Sequence, residues 1–371
     1  MKIGIDAKYY YSGGPSLVNV VRNIVNNLIE CNAEDEIVFF LSKKDFHLKE
    51  DFEIKIDKKK NMSFVFIPVK LNFLTNLLLF PFYFYKKGFD VILFQNYIPM
   101  WGRGRTMYVN YVYDFLFLDY PQYFRTIDKF VYQLMIYSVK KSQHVITISQ
   151  SERRRIIRHT NIQPNRISSV YPGLDANFFE RPNDNKEKIK KKYNLPEKFI
   201  LYVGRLNIRK NVKTLLKSFS IINSNISLVI VGKEDNGGFN FEEEVYKLGI
   251  KDKVYKIGHV PDDDLAEIVS GSTIFVFPSY AEGFGLPPLE AMKSGIPTIV
   301  SNNTSLPEVC GEAALNFDAN DYYDLATKID FLLSDIEVYQ SYKIKGKNKA
   351  EEFSWQKSVA DISTILKSTK D

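Results

Sequence analysis

Short, largely apolar runs recur along the chain, and between them lie longer stretches whose apolar residues return every three or four positions. Runs of this kind predict strands buried on both faces of a parallel sheet, and the spaced stretches predict the helices that cover it. In the first half, strands are predicted at 2–7, 37–41, 64–67, 91–94, 107–113, 144–148 and 167–171. Leu17, Val20, Val21, Ile24, Val25 and Leu28 mark a helix directly after Tyr11-Ser12-Gly13-Gly14-Pro15. In the second half, Phe199–Val203, Val254–Ile257 and Ile274–Phe277 read as strands, with an amphipathic helix over 212–222. Strand and helix alternate throughout, which is the α/β, doubly wound pattern.

Two loops in the second half carry the candidate chemistry. After the run Ile274–Phe277 comes Glu282-Gly283-Phe284-Gly285-Leu286-Pro287-Pro288-Leu289-Glu290. The double proline fits a first helical turn, so two carboxylates flank a helix start whose amides, from Phe284, Gly285 and Leu286, face the crevice beyond the strand's carboxyl end. Amide donors for an anion beside acceptors for hydroxyls suit a nucleotide sugar. A lone glutamate in a first turn commonly only offsets the helix dipole, so Glu290 alone would read as structural. The second loop, Gly204-Arg205-Leu206-Asn207-Ile208-Arg209-Lys210-Asn211, repeats the strand–loop–helix grammar and strengthens the case. There the guanidinium fork of Arg205 and the compact charge of Lys210 suffice to neutralise a diphosphate without metal.

The Gly-Arg-x5-Lys-Asn segment, followed by Glu-Gly-Phe-Gly-Leu-Pro-x2-Glu and then by Gly295-Ile296-Pro297-Thr298-Ile299-Val300-Ser301, resembles glycosyltransferase family 4, most strongly over 171–317. The resemblance implies the GT-B architecture, two Rossmann-like doubly wound domains facing each other across a cleft. It divides the chain into an acceptor-side domain at 1–175, completed by a terminal helix at about 353–371, and a nucleotide-sugar domain at 176–352, with a hinge at Tyr171-Pro172-Gly173-Leu174-Asp175. Retention of anomeric configuration is also implied, as are roles: Arg205 and Lys210 on the donor diphosphate, Glu282 on a sugar hydroxyl, Glu290 on ribose, the amides of Phe284, Gly285 and Leu286 on sugar and phosphate, the backbone of His259 beside the base, and Gly14 in a loop against the diphosphate. At Tyr113-Asp114 many relatives carry His-Asp; the tyrosine donates a hydrogen bond but is ill suited to proton transfer, and the change points to a different donor sugar.

The implied reaction moves a hexosyl unit, mannosyl or a related 6-deoxyhexosyl, from a nucleotide sugar such as GDP-mannose to a hydroxyl of a lipid-linked or oligosaccharide acceptor in surface polysaccharide assembly, with no further cofactor and no metal. Three other classes share the sheet grammar. A nicotinamide dehydrogenase lacks its Gly-x-Gly-x2-Gly fingerprint here. A nonhydrolysing sugar-nucleotide epimerase would act without acceptor, and a silent binding subunit would have no use for Arg205, Lys210, Glu282 and Glu290 together.

Composition narrows the setting. The 371 residues suggest two domains, and 45% hydrophobic with 25% charged residues describe a globular protein. Cys31 and Cys310 offer no disulfide framework, and the first strand begins almost at Met1, so no signal peptide and a cytoplasmic setting are expected. Residues 1–172 hold 24 Lys and Arg against 15 Asp and Glu, and the remainder 26 against 29. That basic first half, with Lys58-Lys59-Lys60 and Arg153-Arg154-Arg155 with Arg158, suits an anionic membrane surface, whereas no nucleic-acid motif accompanies the charge. Leu71–Tyr85, rich in Phe, Leu and Tyr, reads first as a core-facing helix and second as a surface that dips into membrane. Asp262-Asp263-Asp264 after Pro261 reads as an acidic helix start, and His47, His144, His159 and His259 have no metal-ligand spacing.

Overall fold

The computed structural model describes residues 1–31, 34–57, 59–68, 74–124, 126–174, 186–235 and 239–369. Lys58, the beginning of the Leu71–Tyr85 stretch and Asp175 lie outside them. The chain divides into two compact units, Met1–Gly173 with Ser354–Asp371, and Leu174–Phe353.

The first unit is built on seven parallel strands: β1 (Lys2–Asp6), β2 (Glu36–Ser42), β3 (Met62–Ile67), β4 (Val91–Gln95), β5 (Met107–Val112), β6 (His144–Thr147) and β7 (Ile167–Ser169). They lie in the order β3-β2-β1-β4-β5-β6-β7, with Ile3 of β1 aligned on Ile37 of β2 and Val91 of β4. Every residue of β4 is buried, as expected for a strand with helices on both faces. Helix Pro15–Glu30 follows β1, burying Val20, Val21, Ile24, Val25 and Leu28. Helix Trp355–Ser368 packs on it and buries Trp355, Val359, Ile362 and Leu366. Gly173 passes so close to the start of that helix that a Cβ there would lie 2.1 Å from the Trp355 amide nitrogen.

The stretch expected as one core-facing helix is broken. A π-helical turn at Thr75–Leu79 gives way to a short helix at Pro81–Phe84, since Pro81 has no amide hydrogen to continue the ladder. Leu77, Phe80 and Phe84 point inward, whereas Leu74, Leu78 and Phe82 are exposed. The described part of this stretch thus has one buried and one exposed apolar face.

The second unit has six parallel strands: β8 (Phe199–Val203), β9 (Ser227–Val231), β10 (Val254–Gly258), β11 (Ile274–Phe277), β12 (Thr298–Ser301) and β13 (Leu315–Phe317). Their order, β10-β9-β8-β11-β12-β13, places β8 beside β11, with Ile274 aligned on Ile200. The chain winds one way from β8 to β10 and the other way from β11 to β13, so β8 and β11 form the topological switch point, where open α/β sheets open a ligand crevice. In the first sheet the same point lies between β1 and β4. Among the described residues no helix is long and apolar enough to cross a membrane.

Candidate functional site

Two loops meet at the switch point of the second unit, and their backbones fix each other. Leaving β8, the chain turns at Gly204, and Gly232 after β9 presses against it: a Cβ on Gly232, where φ is +152°, would lie 1.8 Å from the Gly204 carbonyl oxygen. Only glycine fits that crossing. Asn207 then accepts a hydrogen bond from the Lys210 amide (3.1 Å) and caps a single 3-10 turn at Ile208–Lys210. Asn211 ends that turn in the left-handed conformation (φ 54°, ψ 33°), which asparagine tolerates better than most residues. Its buried side chain donates to the carbonyls of Pro278 (3.0 Å) and Ala319 (2.8 Å), tying the loop to the end of β11. The Tyr280 amide donates to the Arg209 carbonyl at 2.9 Å, completing the join.

This join brings Arg209 and Lys210 to opposite oxygens of Glu282. Lys210 Nζ is 2.6 Å from Oε1, and Arg209 Nη1 is 3.3 Å from Oε2 while also donating to the Ala281 carbonyl at 2.5 Å. Glu282 is itself held by its neighbours: its amide donates to Thr304 Oγ1 (2.9 Å), and the Ser305 hydroxyl reaches the carbonyls of Glu282 (3.0 Å) and Phe284 (2.6 Å). Lys210 Nζ also lies 5.0 Å from the centre of the Phe277 ring.

Charge in this cluster is unbalanced. Burial pushes the Glu282 carboxyl up, but Lys210 and Arg209 outweigh it and hold the group below its usual range. Lys210 is held below the usual lysine range, by burial first and then by the positive Arg209 and Arg205, despite Glu282. One buried carboxylate is thus shared between two cations, with Arg205 adding to the positive field. Surplus positive charge at the carboxyl ends of parallel strands attracts anions.

The other expected residues fall around this cluster. Arg205 does not reach Glu282; its side chain is 66% exposed and its Nη1 is 3.5 Å from Asp235 Oδ2, while its carbonyl accepts from the Tyr202 hydroxyl at 2.8 Å. The place beside Lys210 belongs to Arg209, which the loop sequence contained but did not distinguish from Arg205. Helix Leu286–Lys293 starts after Gly285, whose φ is 123°, with proline in its first turn. Leu286 has an amide with no intrahelical acceptor, whereas Pro287 and Pro288 carry no amide hydrogen. Phe284 is buried edge-on against Phe353, ring centres 5.8 Å apart. Glu290 is half-buried in the helix, and His259 is exposed after β10. The Asp262–Asp264 run starts helix Asp262–Gly271, and Asp264 holds Lys192 at 2.6 Å and the Tyr193 hydroxyl at 2.5 Å.

In the first unit, Tyr113 follows β5 and donates its hydroxyl proton to Gln95 Oε1 at 2.8 Å, while its amide donates to Asn96 Oδ1 at 3.2 Å. Burial, with Tyr111, Tyr9 and Asp6 nearby, holds the phenol well above its usual range, so it stays neutral. Behind it lies a fully buried polar group that the sequence reading missed. Asp6 pairs with Lys8 and accepts from Asn76 Nδ2 (3.2 Å) and the Gln95 amide (3.3 Å). Asp114 is half-buried, and its charge is felt by Glu152. Gly14 caps helix Pro15–Glu30 in ordinary extended geometry (φ −67°), and a Cβ there would meet nothing within 4 Å. The basic cluster at 153–158 is partly tied into the fold: Arg155 Nε and Arg158 Nη2 bind Asp119 (2.7 and 2.5 Å), and Arg153 donates to the carbonyls of Ile167 and Pro164 (2.9 and 2.8 Å). Arg155 is thereby buried and Arg153 half-buried, while Arg154 and Arg158 remain exposed.

Two parallel sheets, each with its switch point, and a cation cluster at one of them define a two-Rossmann-unit protein of the GT-B kind. The model of Glycosyltransferase Family 4 matches residues 17–178 and that of Glycosyl transferases group 1 matches 184–349. The chain belongs to these glycosyltransferases. Relatives include the O-antigen chain mannosyltransferase B of Escherichia coli, 32% identical over 227 residues, which are 59% of each chain. The serotype-specific mannosyltransferase WbdA of the same organism is 29% identical over 247 residues, 62% of this chain and 30% of that protein. The matched part thus spans less than two thirds of either relative. Among solved structures, Anabaena HepE in complex with UDP-glucose superposes with a TM-score of 0.75 at 15% identity, over 99% of this chain and 100% of that one.

Proposed function

We propose that this protein transfers a hexosyl unit, mannosyl or a 6-deoxyhexosyl, from a nucleotide sugar to a hydroxyl of a lipid-linked glycan, with retention of configuration and without a metal. The observation that carries the reading is the convergence of Arg209 and Lys210 on buried Glu282, with Arg205 exposed beside them. As the sugar–phosphate bond breaks, negative charge grows on the leaving diphosphate. Lys210, and Arg205 once swung inward, bind that charge more tightly than the ground state, which is the requirement for acceleration. Glu282 accepts from a sugar hydroxyl through oxygens already aligned by its two cations. Glu290 holds the ribose, and the amides of Phe284, Gly285 and Leu286 hold phosphate and sugar. Retention follows from front-face attack in which the acceptor hydroxyl gives its proton to the departing phosphate oxygen.

The names of the E. coli relatives favour mannose, and the cytoplasmic face is where a nucleotide-sugar donor would be met. Thermal-shift measurements with GDP, UDP and dTDP test the reading: one of them raises the unfolding temperature, and Lys210→Ala abolishes the rise. Indifference to all three overturns it. Release of nucleoside diphosphate that depends on a lipid-linked acceptor then separates a transferase from an epimerase.

A further inference from the structure

Two short segments of the first unit lie side by side and expose one apolar cluster. The Met100 amide donates to the Leu77 carbonyl (3.0 Å) and Trp101 Nε1 to the Leu78 carbonyl (3.0 Å), lacing residues 100–101 onto the π-helical turn. Gly102 is seated on Pro81, where a Cβ would come within 2.7 Å of the proline Cβ. On the outer side of this join Phe82 packs edge-on against Trp101 (4.8 Å between ring centres), with Tyr85 at 6.1 Å. Leu78, Phe82, Tyr85, Met100 and Trp101 are 45, 69, 44, 53 and 38% exposed. Clustered exposure of this kind marks an interaction surface, whereas single exposed apolar residues do not.

The charges around the cluster say what covers it. Lys86, Lys87, Arg103 and Arg105 are all exposed, and Lys86 Nζ sits 5.5 Å from the Tyr85 ring centre. Asp90 is the one acidic residue between Leu74 and Arg105; it is half-buried and accepts from the Lys2 amide at 2.8 Å. Aromatic rings in a segment with four exposed cations and a single half-buried acid match the region of a bilayer where tryptophan and tyrosine settle and anionic head groups attract lysine and arginine. A protein partner would have to supply carboxylates around an apolar socket; an anionic bilayer supplies phosphate charge and an apolar interior at once.

We infer that this cluster is an interfacial anchor for a bilayer containing anionic phospholipid, with Phe82, Trp101 and Leu78 entering the interface and Lys86, Lys87, Arg103 and Arg105 lying against head groups. The inference is independent of the donor chemistry proposed above, because binding is read without any nucleotide or acceptor. It also places the contact at 78–105 and not at the arginines of 153–158.

The chain's two tryptophans make the test direct, since Trp355 is buried and Trp101 exposed. Full-length protein is titrated with vesicles of phosphatidylcholine alone and of phosphatidylcholine with phosphatidylglycerol, following tryptophan emission, its quenching by bromolipid, and flotation. Anionic vesicles are expected to shift the emission to the blue and to float the protein. Phe82→Asp and Lys86→Glu/Lys87→Glu should each lower partitioning by roughly tenfold or more. Tyr246→Ser, which removes an isolated ring that is 81% exposed in the second unit, should leave it unchanged. Circular dichroism shows that each variant is folded. Failure of wild-type protein to bind either vesicle, equal binding to both, or unchanged binding by both cluster variants overturns the anchor.

Discussion

Arg209 and Lys210 stand next to each other in the chain yet end on the two oxygens of one carboxylate, while Arg205 stays in solvent. Their replacements should therefore separate. Arg205→Ala changes stability by less than about 0.5 kcal/mol, as surface substitutions do, but lowers transfer by about 10² if its guanidinium meets the diphosphate. Lys210→Ala loses activity to a similar degree and also about 1–3 kcal/mol of stability, because a buried carboxylate is left with one cation in place of two. Denaturant unfolding beside transfer rates reads both. Glu152 yields a pH prediction. Its buried carboxyl accepts from the Phe115 amide (2.7 Å), pairs with Arg155, and is pushed up to about 8 by burial, the Asp114 charge adding to the effect. The folded chain then holds this proton where the unfolded chain has lost it, so stability falls as pH rises from about 4.5 to about 8. Glu152→Gln should flatten that slope, seen as urea midpoints at about pH 5 and about pH 8. An unchanged slope would remove Glu152 as its source.

At the scale of elements, the glycines differ in what they are for. Gly232→Ala forces a methyl into the Gly204 carbonyl and should cost more than about 2 kcal/mol through displacement of both loops. Gly14→Ala meets no atom and takes up an ordinary conformation, so it should cost under about 1 kcal/mol, the loss of a good helix cap. A donor KM that nonetheless rises severalfold would place Gly14 against ligand, and an unchanged KM would make it only a cap. The strands were legible because runs such as Ile274–Phe277 and Phe199–Val203 are apolar throughout, and the structure buries nearly all of them. Which arginine faces Glu282 was not legible. Arg205 and Arg209 both sit at workable spacing, and the choice depends on a left-handed Asn211 whose partners, Pro278 and Ala319, are distant in sequence. The break at Pro81 was visible as a residue, but the two-faced exposure it creates depends on Met100 and Trp101 arriving from another segment. The Asp6–Lys8 pair was hidden because Asn76 and Gln95 complete it from afar.

For the molecule as a whole, the first unit is completed by residues from both ends of the sequence. Trp355 is 3% exposed in a helix that covers Pro15–Glu30, and Gly173 admits the chain beneath it. Trp355→Ala should cost about 3–5 kcal/mol, the penalty of an emptied aromatic site. Its effect should appear as early loss of hydrogen-exchange protection in β1 and helix Pro15–Glu30, with β8–β13 unaffected. Equal loss in both units would mean that they unfold together.

The surplus of cations around Glu282 has a thermodynamic corollary. A lysine whose hold on its proton is weakened, by burial first and then by neighbouring cations, regains affinity for hydrogen ions when a diphosphate settles beside it. At alkaline pH, association with nucleotide should therefore draw a proton from the medium, and the calorimetric heat should vary linearly with the ionisation enthalpy of the buffer. Lys210→Met should abolish that dependence.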